Sequence, residues 1–555
     1  MNRSTWTGAV VALLLGAALV VVLSRGRGGN EGPAELVPGD ARAYLQLDDH
    51  VRAVEHLEGL IERIGLGIFS GGAHKGVTRQ LGFDPADPEA LRERGLDPSR
   101  PAAGYLPADS EDLVVLLPVK DGAKLEATLA ELWGERTGGS VEAVEEEGVR
   151  YQKALLANGE VGAAWAREGG YQILSPGKGA PDRLFQVLAP GGAPRLTQQP
   201  TFSAAFEALA PGSHLFLWGL PEGVARADRR LKGMEEGLDA GALALTLTRD
   251  SAEVALLGDL GAVAATALPI FAPADSGRIE GLFSRLLPEA VLAARFSLSF
   301  PEVWKRAAQL RSLNALEGLE AQLRARGVEV SEVLPLFDGQ IVGGLTPLAE
   351  AELDRMPSLD LRRTNPFAYV RAEVRAGLKD PKKVRELLPL AAEALAPALR
   401  ADVVRGEIEG SEAFTIKYHL GEGMTFGVIG DDLVATGGEG AFAAALRRHA
   451  GKTEGYGANL KQAPYAARLT REGSFGAVLQ VDRLLTALGE VDSERLGGGP
   501  TGMTAALAFR KMRATLEKFD HLSLGVLPGK SEVVTRLQVN LEPLPASESG
   551  GAPQP

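Results

Sequence analysis

The chain contains no cysteine. That removes structural disulfides, thiol nucleophiles, thiolate zinc sites and cysteine-ligated iron–sulfur clusters. It also removes the acylated cysteine that follows the leader of a lipoprotein. It does not fix the compartment, because an exported chain avoids mispairing by omitting thiols altogether. Histidine is scarce, at seven residues in 555, and only His50 and His56 lie close together, beside Asp48 and Asp49. Two metal ligands on one helical face need a spacing of about three or four residues. This pair does not have it, so the expected reading is a helix capped by Asp48 or Asp49 with both histidines solvated. Aromatic residues make up 6% of the chain. A sugar-stacking groove is not indicated, and Trp133, Trp165, Trp218 and Trp304 are expected to pack helices and strands.

Basic clusters are also missing. The net charge is −13, and phosphate neutralisation needs a concentrated basic face. A nucleic-acid partner is excluded on that ground, and the same balance disfavours broad adhesion to an anionic membrane surface. Three motif matches fail on context. Ser175-Pro176-Gly177-Lys178 has the serine-x-x-lysine spacing of some acyl-transfer enzymes, but those need the serine to open a helix, and Pro-Gly predicts a turn. Gly71-Gly72-Ala73-His74-Lys75-Gly76 lacks the spacing and preceding strand of a phosphate loop. Glu145-Glu146-Glu147 is a short acidic run, which reads as a solvated face; calcium loops space their ligands around a turn glycine. No catalytic, cofactor-binding or metal-ligating residue is assigned, and no cofactor is expected.

One long apolar run is present. Ser4 to Ser24 carries no charge, close to the roughly 20 residues needed to span a bilayer. Val22-Leu23-Ser24 is a poor match to a signal cleavage site. Residues 1–24 therefore read as an uncleaved signal-anchor, with a cleaved signal peptide as the alternative. Residues 25–37 read as a flexible tether. Arg3 and the free amino group precede the run and Arg25 and Arg27 follow it, so the positive-inside comparison is nearly a tie. A lone terminal apolar run followed by a tether favours export of the body. The expected address is a single-pass inner-membrane protein with its body in the periplasm, or a cleaved periplasmic form; a cytoplasmic body is the other orientation.

The rest of the chain repeats itself in pattern. Ala43-Tyr44-Leu45-Gln46-Leu47 reads as a strand, followed by a helix with Val51, Val54, Leu57, Leu60 and Ile61 on one face. Ala294 to Phe300 alternates like a strand, and a helix follows from about Glu302 toward Arg326. Gly95 and Gly327 each stand just past an arginine-rich helix end, where a left-handed cap needs no Cβ. Apolar runs lead to Asp121 and Asp380, each placed to cap a helix. Strand sets at 149–155, 161–167 and 171–174, and at 413–418, 424–429 and 433–436, turn at Gly169-Gly170 and Gly430-Asp431. The stretches 200–217 and 464–480 read as helix, glycine turn, strand, and 243–257 and 522–539 as closing hairpins.

Ordered self-similarity of this kind predicts a tandem duplication. The expected fold class is α+β: two similar halves, 38–261 and 288–541, each a mainly antiparallel sheet with packed helices. Residues 262–287 read as a connector and 542–555 as a disordered tail; Gly497-Gly498-Gly499-Pro500 reads as a loop.

Val37-Pro38-Gly39-Asp40-Ala41-Arg42-Ala43-Tyr44, the Pro200-Thr201-Phe202 helix start and Gly430-Asp431-Asp432-Leu433-Val434 together resemble a family of exported bacterial proteins classed as a domain of unknown function. The resemblance covers most of the body and implies no activity and no catalytic residues. The function expected is a membrane-tethered, extracytoplasmic, non-enzymatic binding or scaffold protein, taking an envelope protein partner or an apolar ligand. The alternative is an exported hydrolase with a site assembled from distant residues; a purely structural envelope spacer is a third reading.

Overall fold

Two antiparallel ladders organise the chain. The computed structural model describes residues 32–542 apart from several segments, the longest being 65–77, 189–193, 222–237, 308–319, 348–369 and 489–506. The apolar N-terminal run, the tether to residue 31, the glycine-rich stretch 71–76, Gly497 to Pro500 and residues 543–555 lie outside the described residues. Contacts divide the chain into two units, 1–263 and 264–555.

The first unit contains β1 (Ala43–Leu47), β2 (Ala102–Leu106), β3 (Val114–Pro118), β4 (Ser140–Glu146), β5 (Val149–Leu155), β6 (Val161–Glu168), β7 (Tyr171–Pro176), β8 (Leu215–Gly219), β9 (Ala240–Leu247) and β10 (Ser251–Asp259). Their pairings run 4-5-6-7-3-2-1-8-9-10, all antiparallel. Side chains alternate across such a sheet, and helices cover both faces. On the front, the helix Gly122–Thr137 buries Leu125 and Trp133 against Val115, Trp165 and Leu174. On the back, Phe202 of the helix Pro200–Leu209 meets the rings of Tyr44, Phe216 and Trp218 at 5.3 to 6.1 Å.

The second unit contains β11 (Leu292–Ser297), β12 (Phe337–Pro347), β13 (Val370–Leu378), β14 (Asp402–Ile408), β15 (Ser411–Tyr418), β16 (Gly421–Ile429), β17 (Asp432–Gly437), β18 (Phe475–Gln480), β19 (Phe519–Pro528) and β20 (Glu532–Leu541). The order is 14-15-16-17-13-12-11-18-19-20, again antiparallel throughout. The helix Pro381–Leu399 packs Val384, Leu388 and Ala392 onto Phe414, Ile416 and Phe426. On the opposite face, Ile279, Leu282 and Phe283 of the helix Ser276–Phe283 join Tyr456, Leu469 and Val478 in a fully buried cluster. The α+β class and the antiparallel sheets are as expected.

Three expectations change. The expected connector, 262–287, carries core residues: Ile279, Leu282, Phe283 and Leu286 are wholly buried in the second unit. The strand expected to reach Phe300 stops at Ser297, and Phe300 opens the helix Phe300–Ala307, its ring 5.1 Å from that of Phe337. Asp49 precedes the helix His50–Arg63, but its φ of 43° is left-handed and its side chain makes no cap hydrogen bond.

The other caps hold. Asp121 accepts from the Lys124 amide at 3.2 Å and Asp380 from the Lys383 amide at 2.9 Å. At Gly95 the Leu96 amide reaches the Leu91 carbonyl and the Gly95 amide that of Arg92; Val328 and Gly327 repeat this with Leu323 and Arg324. These are Schellman caps with glycine left-handed, φ 86° and 76°. The two glycines differ in surroundings. A Cβ on Gly95 would lie 2.3 Å from the Asp121 carbonyl oxygen, whereas one on Gly327 meets nothing within 4 Å. Gly327→Ala is therefore expected to cost about 1–2 kcal/mol from backbone conformation alone. Gly95→Ala adds a steric clash and should cost about 3 kcal/mol or more. Urea unfolding of both variants checks the order; equal costs would contradict the packing argument.

Candidate functional site

The second unit buries charge where an antiparallel core normally buries hydrocarbon. Glu373 and Arg375 alternate on β13, and Asp432 opens β17; Arg375 and Asp432 are wholly buried and Glu373 is 2% exposed. Arg375 Nε donates to Glu373 Oε1 at 2.7 Å, and an amino group of Arg375 lies 3.2 Å from Asp432. Arg278, from the helix Ser276–Phe283, and Arg285, just beyond it, each approach Asp432 at 3.2 Å. Arg278 also binds Asp338 at 2.7 Å, and Arg448, in the helix Ala441–His449, pairs with Glu373. Four guanidinium groups thus surround three carboxylates in a low-dielectric interior, where an unpaired charge is costly.

His449 closes one edge of this cluster. Its Nδ1 lies 3.3 Å from an Arg285 amino group. Arginine has no acceptor, so His449 Nδ1 accepts and Nε2 carries the proton. Burial, then the Arg285 charge, pushes the His449 imidazole below its usual range. Burial also lowers the Arg285 guanidinium, against the pull of Asp432. Beside Arg285, Arg448 and His449 opens a pocket of about 1040 Å³, whose wall includes Gly451, Thr453, Glu454 and Gly455. That wall is held close: a Cβ on Gly455 would sit 2.1 Å from the Ser284 carbonyl oxygen, and the Tyr456 amide donates to Leu286.

The first unit has a different pocket, of about 850 Å³, where β1 meets the helix His50–Arg63. The fully buried Tyr44 hydroxyl donates to Gln46 Oε1 at 2.6 Å, and Gln46 Nε2 donates to Asp48 Oδ2 at 2.9 Å. Burial raises the Asp48 carboxyl despite that bond. Asp49, whose left-handed backbone strains a non-glycine residue, lies 3.6 Å from Arg52. His56 stands beside His214, ring centroids 5.9 Å apart; the His50 side chain lies outside the described residues. Leu247 orients both rings: its amide donates to His214 Nδ1, and its carbonyl lies 3.1 Å from His56 Nδ1. The expectation of a solvated ring is corrected for His56, which lies against the end of β9 together with His214. Burial lowers the His214 imidazole.

The remaining sequence motifs stay apart from both pockets. Ser175 Oγ accepts from Arg183 Nε at 2.9 Å, Gly177 turns the chain at φ 79°, and Lys178 pairs with Glu160 at the surface. Glu145 and Glu146 end the edge strand β4, and Glu145 pairs with Arg150 at 2.7 Å. Among the described residues no group of three histidine or acidic side chains is arranged to hold a metal ion. Nor, among them, is a helix long and apolar enough to cross a membrane. Sequence reasoning missed His214 and the whole Asp432 cluster. The one local signal was Glu373-Val374-Arg375, two opposite charges two residues apart just before the uncharged end Ala376-Gly377-Leu378 of β13.

No protein-family model matches the chain, and no curated protein does. Solved structures of TP0453 in crystal forms I, III and IV align at 16–17% identity over 42–43% of this chain and 81–85% of theirs, with a TM-score of 0.26. A likeness of that size carries no argument.

Asp432→Asn removes the carboxylate shared by Arg278, Arg285 and Arg375, and should destabilise the protein by about 3–5 kcal/mol. Glu145→Gln, at an exposed pair, should leave the urea midpoint unchanged. A small effect at Asp432 would mean that water already reaches the cluster. The histidines set a pH dependence. His214 and His449 hold their folded-state values below the usual 6.5, so the unfolded chain binds more protons in that window. Their contribution is complete above about pH 6.5 and is lost as pH falls toward the depressed values. Urea midpoints measured from about pH 8 down to pH 5 should fall, and His214→Gln should flatten part of the decline.

Proposed function

We propose that the chain is a membrane-tethered, extracytoplasmic, non-enzymatic binding or scaffold protein, built from two copies of one ten-stranded module. The address rests on the N-terminal apolar run and tether. The duplication is supported by strand order. Renumbering β11 to β20 as 1 to 10 turns 14-15-16-17-13-12-11-18-19-20 into the order of the first unit. The paired Schellman caps at Gly95 and Gly327 and the paired aspartate caps at Asp121 and Asp380 fall between corresponding strands.

One observation carries the binding reading. An antiparallel sheet with a wet face normally turns polar side chains toward it. The front of β20, β19, β18, β11, β12 and β13 does the opposite. Val539, Leu522, Leu479, Leu292, Leu345 and Ala372 form one row in register; Leu537, Leu524, Ala477, Ala294, Gly343 and Val374 form the next. Phe475, Phe296 and Ile341 continue a third. Leu292 and Phe296 are each 39% exposed, and Leu537 is 46% exposed. The first unit has a smaller counterpart in Leu256, Leu243, Leu217 and Leu45, paired across β10, β9, β8 and β1. Exposed apolar rows of this extent mark a surface that something covers.

The occupant is an apolar ligand or the apolar face of an envelope protein. A fluorescent acyl-chain probe is expected to bind the purified body, and Phe296→Glu should weaken it by about tenfold or more, because a carboxylate must be desolvated. Failure of the probe to bind, together with no lipid in mass spectrometry and no partner in envelope crosslinking, would count against this function.

A further inference from the structure

We propose that Arg285, Arg448 and Thr453 form a binding site for an oxyanion, a carboxylate or a phosphate, at the open edge of the second unit's ion cluster. Charge balance is the first reason. Arg278, Arg285, Arg375 and Arg448 face Asp338, Glu373 and Asp432, and His449 is neutral because its Nδ1 accepts from Arg285. Within the cluster four positive charges stand against three negative ones. A fourth carboxylate, Asp431, acts on Arg285 from the exposed turn after β16, where solvent screens it, so the buried groups themselves still favour an anion in the pocket.

Donor geometry is the second reason, and it says where that anion goes. Arg448 is 7% exposed. Its Nε donates to the Arg285 carbonyl at 3.0 Å and one amino group to Glu373. Its other amino group has no partner among the described residues. Arg285 gives Nε to the Gly281 carbonyl and one amino group to His449 and Asp432; its second amino group is likewise unmatched among the described residues. Both side chains line the same pocket, with Thr453 on the glycine-flanked loop across from them. Arginine amino groups and a hydroxyl are suited to carboxylate or phosphate oxygens. Arg471 at the mouth is already paired with Glu280 at 3.6 Å, and Glu454, also in the wall, favours a small anion over a large polyanion.

The third reason is that the fold does not require the cluster. On the two-copy reading, Tyr171 pairs with Pro118 where Asp432 pairs with Gly377. That register puts Val114, Leu116 and Tyr171 in the places of Glu373, Arg375 and Asp432, and the first unit buries these uncharged side chains with a single guanidinium, that of Arg100, over the Tyr171 ring. Buried ionic networks are often no more stable than hydrocarbon of the same shape, so a use beyond stability is called for.

The test titrates full-length protein with inorganic phosphate and with acetate, each against chloride at constant ionic strength, by calorimetry and thermal shift. Binding of phosphate, of acetate or of both, with chloride inert, is expected; which one binds identifies the oxyanion. Thr453→Asp puts a carboxylate at an exposed loop position and should weaken binding about tenfold or more without lowering the anion-free melting temperature. Arg448→Gln should do the same to binding, with some loss of stability. Equal shifts by chloride, or undiminished binding in Thr453→Asp, would overturn the site. Anion binding with no acyl-probe binding would keep this inference and sink the sheet-face reading; the reverse outcome would do the opposite.

Discussion

Alternation of side chains across an antiparallel sheet is the constraint from which both candidate surfaces of the second unit follow. On β11, Arg295 points to the helix-covered back and is wholly buried, while its neighbour Phe296 points forward and is 39% exposed. On β13, Glu373 and Arg375 point back into the ion cluster, and Val374 between them faces forward at 44% exposure. A one-residue slip would exchange every one of these positions. Tight hairpins hold the register: Gly169 and Gly170 turn β6 into β7, and Gly430 turns β16 into β17, all left-handed. The outermost strands β4 and β14 carry glutamate and arginine on their exposed edges, which discourages further pairing.

What could be read from the sequence was what depends on neighbours in the chain. The strand Ala43–Leu47, the hairpin strands from Val149 to Pro176 and the caps at Gly95, Asp121, Gly327 and Asp380 each follow from periodicity or turn chemistry within a few residues. Four strands escaped. β2 is Ala-Ala-Gly-Tyr-Leu, with no β-branched residue, and β12 interrupts Ile341, Val342 and Thr346 with three glycines, so neither stands out as a strand. Two of those glycines answer to close approach: a Cβ on Gly344 would meet Leu286 and Ala290 at 3.1 Å, and one on Gly339, at φ 89°, the Leu298 carbonyl oxygen at 2.5 Å. β4 and β14 read as acidic or mixed polar stretches because, as sheet edges, they bury little. The segment taken for a connector misled through Pro269, Pro273 and small residues, while its later part supplies the helix that carries Arg278.

The candidate sites were hidden for another reason. Arg285, Glu373, Asp432 and Arg448 are far apart in the chain and meet only because β13 pairs with β17 while two helices cross the back of that pair. His56 and His214 meet because β9 ends beside the helix His50–Arg63. No spacing rule reaches across such distances. The glutamate and arginine flanking Val374 were the one trace, since like residues in a solvated strand would not stand in a run ending Ala-Gly-Leu.

The two surfaces also constrain each other. Because β13 supplies Val374 to the apolar front and Glu373 and Arg375 to the cluster behind, neither face can be remodelled by shifting the strand. Moving it by one residue would press two charges onto the apolar rows and leave Arg278, Arg285 and Arg448 facing a valine. Each charge so exposed to hydrocarbon costs several kcal/mol, more than the marginal stability a domain can spare. The apolar rows in front and the ionic cluster behind therefore depend on the same register. The first unit buries Val114 and Leu116 on β3, so the same strand order encloses hydrocarbon in one unit and ions in the other.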